Sequence, residues 1–319
     1  MVMSKPLQKT IPYLSFIIPV KDEEKSIAQL SQDIVKECNS LKKTYEIIFV
    51  DDGSVDKTFE IIKDLYLKNK NIKAIRHRRN FGKSAALSTG FAGANGEIVF
   101  TLDGDLQDNP LEIPKFLEKL DQGYDLISGW KKKRYDSTLI TLPSIIGNFL
   151  IRKLTGVKVH DLNCGFKAYR KEVIQNLNIY GELYRFIPIL VNQKGYKIGE
   201  IVVRHRPRHF GKSKYSWFKI IKVFLDLITV LFLTGHATHP GHFFGTLGLV
   251  FFAPGLLIGF YITYLRITTG GIAYHYPLLF LGVLLMVVGI QFVSTGLLAE
   301  MITSSTKKQY SDNVVSELL

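Results

Sequence analysis

Cysteine is nearly missing: Cys38 and Cys164 are the only two in 319 residues, and neither belongs to a Cys-x-x-Cys pair. That excludes a disulfide framework and a thiolate zinc site, and leaves two thiols expected to be buried in a reducing compartment. Acids are also short, 28 Asp and Glu against 41 Lys and Arg, so the formal charge is +13. Such an excess seeks an anionic partner, either nucleic acid or a membrane surface. Uncharged apolar runs after Phe218 favour the membrane, and no nucleic acid is expected. Met1–Ile11 carries Lys5 and Lys9, but no apolar core of signal-peptide length follows, so the soluble part is expected in the cytoplasm. Gly82-Lys83-Ser84 and Gly211-Lys212-Ser213 imitate the end of a P-loop. His77 and Arg206 stand where its first glycine belongs, which excludes that motif.

What the chain does have, from Leu14 to His205, is short apolar runs alternating with longer amphipathic segments, the pattern of an α/β fold on a mostly parallel sheet. Strands are predicted over Leu14–Val20, Tyr45–Val50, Ile72–Arg76, Glu97–Leu102 and Asp125–Ser128. Helices are predicted over Glu24–Asn39, Asp56–Asn69, Lys83–Asn95 and Pro110–Asp121. Ligands of such sheets bind beyond the carboxyl ends of strands, and the residues there are mostly polar or charged.

The richest of these stretches runs from Val99 to Asp108. Asp103 and Asp105 flank Gly104, whose freedom lets the backbone turn so that both carboxylates converge on a small hard cation, Mg²⁺ or Mn²⁺, with Gln107 adding a neutral oxygen. An ordinary Asp/Gly surface turn would read the same way. Asp51 and Asp52 offer acceptors to the N–H and O–H groups of a nucleotide, although a helix N-cap at Ser54 or Asp56 accounts for part of that cluster. Lys83 opens a helix whose free N–H groups favour an anion such as a diphosphate; a solvated lysine is the plainer alternative.

The second half changes character. Ser137–Thr155 and Phe218–Leu233 read as amphipathic helices lying on a bilayer, with an ordinary core helix as the alternative for the first. Phe243–Leu265 and Pro277–Ala299 carry no charge and exceed the roughly 20 residues that cross a hydrocarbon core. The connector Arg266–Tyr276 holds one basic residue, whereas Lys307-Lys308 follow the second span, so the positive-inside rule puts the soluble domain and both termini in the cytoplasm. The organisation expected is a catalytic domain over 1–215, an interfacial helix over 216–234, a membrane domain over 235–303 and a tail over 304–319. Arg204–Tyr215, with three arginines and two lysines around Gly211, reads as a lipid-phosphate loop or a generic polybasic patch. His236, His239 and His242 lack a carboxylate or Cys companion and are read as interfacial polar groups, not as a metal site. Gly245, Gly248, Gly255 and Gly259 allow close helix association, which makes a homo-oligomer conceivable.

Five motifs occur in one order: Phe16-Ile17-Ile18-Pro19-Val20-Lys21-Asp22-Glu23, Val50–Thr58, Arg79-Asn80-Phe81-Gly82-Lys83, Asp103–Pro110 and Cys164-Gly165-Phe166-Lys167. Together they resemble the inverting GT-A glycosyltransferases, and within them the polyprenyl-phosphate glycosyltransferases, the group of dolichol-phosphate mannose synthase and the bactoprenol glucosyltransferases. The likeness runs from about Leu14 to Tyr215. It implies that Asp103, Asp105 and Gln107 hold Mg²⁺ or Mn²⁺, and that Pro19, Val20, Glu23, Asp51, Asp52, Lys83, Asp103 and Gly104 line a nucleotide sugar. It further implies that Asp161 faces the acceptor, with Asp103 and Asp105 its catalytic companions, and that Lys131, Arg134, Arg206, Ser213 and Lys214 receive a lipid phosphate. A two-span membrane part similar to that of bactoprenol-type members implies glucose from UDP-glucose; GDP-mannose with dolichyl phosphate, another UDP-sugar, and a non-catalytic membrane scaffold are the rivals. No Gln-x-x-Arg-Trp occurs, so a single transfer is expected. Several relatives have Ala or Leu where Gly104 stands, which implies a loop of different stiffness here.

Overall fold

The computed structural model describes residues 11–132, 155–204, 240–272 and 274–306. Arg134, Arg206, Ser213, Lys214, His236 and His239, the interfacial helix over 216–234 and all of that over 137–155 except Thr155 lie outside these residues. The chain divides into two compact units, Met1–Leu227 and Ile228–Leu319.

The first unit is built on one seven-stranded sheet: β1 (Leu14–Val20), β2 (Tyr45–Asp51), β3 (Ile72–Arg76), β4 (Ile98–Thr101), β5 (Leu126–Trp130), β6 (Lys167–Arg170) and β7 (Ile198–Val202). Their spatial order is β3-β2-β1-β4-β6-β5-β7. Only β6 runs antiparallel to its neighbours; the other paired strands are parallel. The period-two alternation of β1 explains its place in the middle: Leu14, Phe16, Ile18 and Val20 join one hydrophobic core, while Ile17 meets Gly90 on the opposite face.

Helices α1 (Ile27–Ser40), α2 (Thr58–Lys68), α3 (Lys83–Gly93) and α4 (Ile113–Asp121) connect the first five strands. In α1 the buried Ile27, Leu30, Ile34 and Cys38 recur at helical spacing and form the stripe that seats it on the core. This helix starts three residues later than predicted, at Ile27 instead of Glu24. The reason is that Asp22–Glu24 is tied to Ser54–Thr58 by five hydrogen bonds, among them Asp22 N–H to the Ser54 hydroxyl (2.9 Å) and Val55 N–H to the Asp22 carboxylate (2.9 Å). Under β1, β4 and α4, Phe16 stacks on Phe100 (5.2 Å), and Phe116 meets Phe166 (4.3 Å), giving the strand ends a rigid aromatic floor. On β2, buried Glu46 accepts from the Ser15 hydroxyl (2.6 Å) and Asn95 N–H (2.6 Å) and pairs with Lys73 (2.6 Å). Two short helices, α5 (Lys171–Gln175) and α6 (Ile187–Gln193), lie between β6 and β7.

The second unit is a helical hairpin of α7 (Pro240–Thr269) and α8 (Tyr276–Thr306). Both outrun the predicted spans: α7 begins at Pro240 and takes Arg266 into its last turn, and α8 continues past Ala299 through Glu300 to Thr306. Both are long and apolar enough to cross a membrane, with mean hydropathy of 2.0 and 2.3. Glycines set their spacing. A Cβ built on Gly248 would lie 2.7 Å from the Gly289 carbonyl oxygen, and one on Gly255 would lie 2.7 Å from that of Gly282. Gly248 and Gly255, read from the sequence as a surface for another copy, are thus used inside the hairpin; Gly245 and Gly259 meet nothing within 4 Å. At the open end, the Glu300 carboxylate accepts the Gly241 N–H (3.0 Å).

Candidate active site

Since β1, β2, β3 and β4 are parallel, the loops after them share one edge of the sheet. Two non-glycine residues with positive φ sit in these loops, Asp22 (56°) and Leu106 (63°). Such residues store backbone strain that the surrounding packing must hold. Leu106 bends the loop that carries Asp103, Asp105 and Asp108. Gly104 and Asp105 form the expected turn, but the positive φ falls at Leu106 and not at Gly104, whose lack of a side chain serves space: a Cβ there would lie 2.8 Å from Val20 Cγ1.

Asp103 sits between lysines. The Lys83 ammonium ion-pairs with its carboxylate, and the Lys83 cation also lies 5.2 Å from the centre of the Tyr184 ring. Burial alone would raise the Asp103 pKa, but Lys83 and then Lys131 overcome it and hold the group below the usual carboxylate range. Asp105 behaves in the opposite way: burial, reinforced by Asp103 and Asp108, pushes it up to about 6. Gln107 reaches Asp105 through its main-chain N–H (3.1 Å), and Asp103 N–H donates to Asp108 (3.3 Å). Lys131, expected to receive lipid phosphate, forms an ion pair with buried Asp108 (3.0 Å). Its nearness to three carboxylates explains this, because a buried acid needs a counter-charge.

The far wall carries the Cys164-Gly165-Phe166-Lys167 motif, to whose residues sequence reasoning assigns no role. Pro19, Lys83, Asp103, Asn163, Gly165 and Lys167 line one pocket. A Cβ on Gly165 would fall 2.6 Å from the Asp103 carboxylate, so only glycine lets this wall close on that acid. Lys167 is 3% exposed, and its ammonium donates to the carbonyls of Leu162 (3.2 Å) and Cys164, which fixes the turn that presents Gly165. Asp161 is buried at the start of the same segment.

Asp51 and Asp52, expected to line a nucleotide, have carboxylates engaged within the protein. Asp51 accepts from the Ser54 N–H (2.9 Å) and hydroxyl and faces Arg76 (3.3 Å). Asp52 accepts from Phe81 N–H (2.8 Å), Gly82 N–H (2.8 Å) and His77 Nδ1 (2.9 Å). Burial would raise its pKa, but these hydrogen bonds prevail and lower it. Asp52 therefore shapes the His77–Lys83 loop, and Gly53 (φ 72°) lets the two loops touch: a Cβ there would lie 2.7 Å from the Arg79 main chain. On the first loop Glu23 accepts from the Ser26 hydroxyl (3.1 Å).

Among the described residues no three His, Cys, Asp or Glu side chains form a complete metal cluster. The donor set still fits a hard divalent cation. Asp103 and Asp105 crowd each other electrostatically, Lys83 already supplies Asp103 with a positive charge, and Mg²⁺ characteristically binds one or two carboxylates and takes its remaining ligands from substrate phosphates and water.

The sequence profile described as "Glycosyl transferase family 2" matches residues 15–177, the span that holds every strand but β7. The chain belongs to glycosyl transferase family 2. This glycosyltransferase is 37% identical over 294 residues to dodecaprenyl-phosphate galacturonate synthase of Rhizobium johnstonii, covering 91% of this chain and 87% of that one. It is 36% identical over 291 residues to undecaprenyl-phosphate 4-deoxy-4-formamido-L-arabinose transferase of Proteus mirabilis, covering 91% and 88%. In fold it is similar to glucosyl-3-phosphoglycerate synthase from Mycobacterium tuberculosis, crystallised with Mn²⁺, UDP and phosphoglyceric acid: TM-score 0.54, 18% identity, 70% of this chain and 78% of that one. The mostly parallel sheet with its single antiparallel strand is thus the GT-A fold.

Proposed function

We propose that this glycosyltransferase moves one sugar from a UDP-sugar to polyprenyl phosphate, inverting the anomeric carbon. The observation that carries the reading is the acid-rich edge of Asp103 and Asp105 beside Lys83, in a chain alignable over 91% of its length with a relative named for dodecaprenyl phosphate. Asp103 and Asp105, with Gln107 near them, are the residues proposed to hold Mg²⁺ or Mn²⁺; the ion's chemistry is to neutralise the departing nucleoside diphosphate. Pro19, Val20 and Glu23 line the nucleotide side, and Asp51 and Asp52 serve it by bracing the loops.

The acceptor is a phosphate monoester whose second pKa is about 6, so its oxygen is already ionised at neutral pH and needs no strong base. Asp161 then orients and electrostatically tunes that oxygen. The bond from phosphate oxygen to the anomeric carbon forms as the bond from that carbon to the diphosphate breaks, which turns an α-linked donor into a β-linked product. The apolar hairpin anchors the enzyme in the membrane that holds the acceptor, with the catalytic unit and both termini on the cytoplasmic side.

Glucose is the sugar read from the two-span likeness. A hexuronate is a second reading, favoured by the galacturonate relative. Purified enzyme in polyprenyl-phosphate vesicles with Mn²⁺ should convert one of UDP-glucose, UDP-galacturonate, UDP-4-formamido-arabinose and GDP-mannose to a lipid-linked sugar, identified by mass spectrometry. A protein inert to every donor would sink the proposal and favour a scaffold.

A further inference from the structure

The segment carrying Asp161 belongs to no strand, yet its main chain is gripped from the sheet. Glu200 on β7 accepts the N–H of His160 (2.8 Å) and the N–H of Asp161 (3.1 Å), and its other oxygen meets His160 Nδ1 (2.7 Å). Ser128 on β5, the register partner of Glu200, donates its hydroxyl to the Asp161 carbonyl (3.4 Å). Thus both main-chain polar groups of Asp161 are held by one cross-strand pair. Two residues beyond Ser128, Trp130 stacks on the His160 ring at 4.2 Å with planes 13° apart, which closes the remaining freedom of the turn. A charged acceptor shared by two N–H groups is about twice as strong as a neutral one. The arrangement concentrates this strength on the residue just before Leu162–Lys167, the segment that walls the pocket.

We infer that Glu200 is a positioning residue for the acceptor step: it fixes the Asp161 main chain, and through it the direction of the Asp161 carboxylate. The inference rests on the reading of Asp161 as the group facing the acceptor phosphate. Glu200 itself touches no reacting atom. Its partners are two amides and an imidazole ring, none belonging to the Asp103 loop.

Two measurements test it, and one does not depend on the identity of the sugar. Hydrogen exchange of the full-length protein in detergent should show the His160 and Asp161 amides exchanging about 10-fold faster or more in Glu200→Ala, with the β1–β4 amides unchanged. In the vesicle assay Glu200→Ala should lower kcat about 10- to 100-fold with the KM for the UDP-sugar within about twofold, as expected for a misplaced group. Glu200→Gln keeps a carbonyl oxygen for the two N–H donors and should recover most of that loss; it also serves if the alanine variant folds poorly. In an Asp161→Asn background the Glu200→Ala change should cost no more than about twofold further, since it acts through Asp161. Unchanged exchange at His160 and Asp161 would overturn the positioning role whatever the enzyme transfers. Normal exchange effects with a full additive loss in the Asp161→Asn background would leave the clamp standing but overturn its link to Asp161.

Discussion

Two acidic clusters follow two parallel strands of the same sheet, and they are put to opposite uses. Asp51 and Asp52, at the end of β2, have their carboxylates met by main-chain N–H groups, a hydroxyl, an imidazole and a guanidinium. Asp103, Asp105 and Asp108, after β4, face two lysines and one another, and the pKa of Asp105 is driven up to about 6. The first cluster braces loops, although Asp51 Oδ2 is buried without a hydrogen bond and has only the nearby Arg76 guanidinium. In the second, burial and the like charges of Asp103 and Asp108 act on Asp105, a crowding that a divalent cation would relieve. Residue type is the same in both, but hydrogen bonds lower the Asp52 pKa whereas burial and like charges raise that of Asp105.

The contrast breaks first at the second cluster. Asp103→Asn or Asp105→Asn should lower turnover by roughly 10²- to 10³-fold or more, the cost of losing one preorganised electrostatic group, while Asp105→Asn leaves thermal stability undiminished because it relieves repulsion. A kinetic assay beside a melting curve checks both. Gly165→Ala should come next, with a loss of about 10²-fold, since the new methyl displaces the Asp103 carboxylate; full activity would show the wall to be pliant. At the first cluster the order of effects reverses. Asp52→Ala should cost about 1–3 kcal/mol of stability, from the two N–H groups left without their acceptor, measured by denaturant unfolding of the metal-free protein. The smallest effect is with pH. Asp52 and Glu46 titrate lower in the folded chain than in the unfolded one, so their contribution is complete above about pH 4 and is lost as pH falls through the folded values. Asp52→Asn should therefore flatten the loss of stability below about pH 4, and an unaltered acid slope would contradict the frame role.

Much of this is legible in the amino-acid sequence alone. The alternation of apolar runs with amphipathic segments marks β1 to β5 and α1 to α4, and Asp103-Gly104-Asp105 marks the site. β6 and β7 are not legible, for different reasons. β6 is four residues long with a charge at each end, and β7 contains Gly199 and Glu200, residue types that strands disfavour. The site residues that escape sequence reasoning share a cause. Gly165, Lys167 and Glu200 act through tertiary approach, to a carboxylate 62 positions away in the case of Gly165 and Asp103, and nothing in their local sequence announces the partner. Lys83 does open α3 as its sequence context predicts, but its ion pair with Asp103 follows from the sheet order and from no spacing in the chain.

The glycine contacts of the hairpin have a consequence for assembly. Gly241, Gly248 and Gly255 recur every seven residues on one helix, as do Gly282, Gly289 and Gly296 on the other, and the two sets meet in reverse order, 241 with 296, 248 with 289 and 255 with 282. A side chain in place of glycine would meet the opposing backbone at 248 with 289 and at 255 with 282 together. The pair therefore has one alignment to find, in the manner of a key with every tooth cut to one depth.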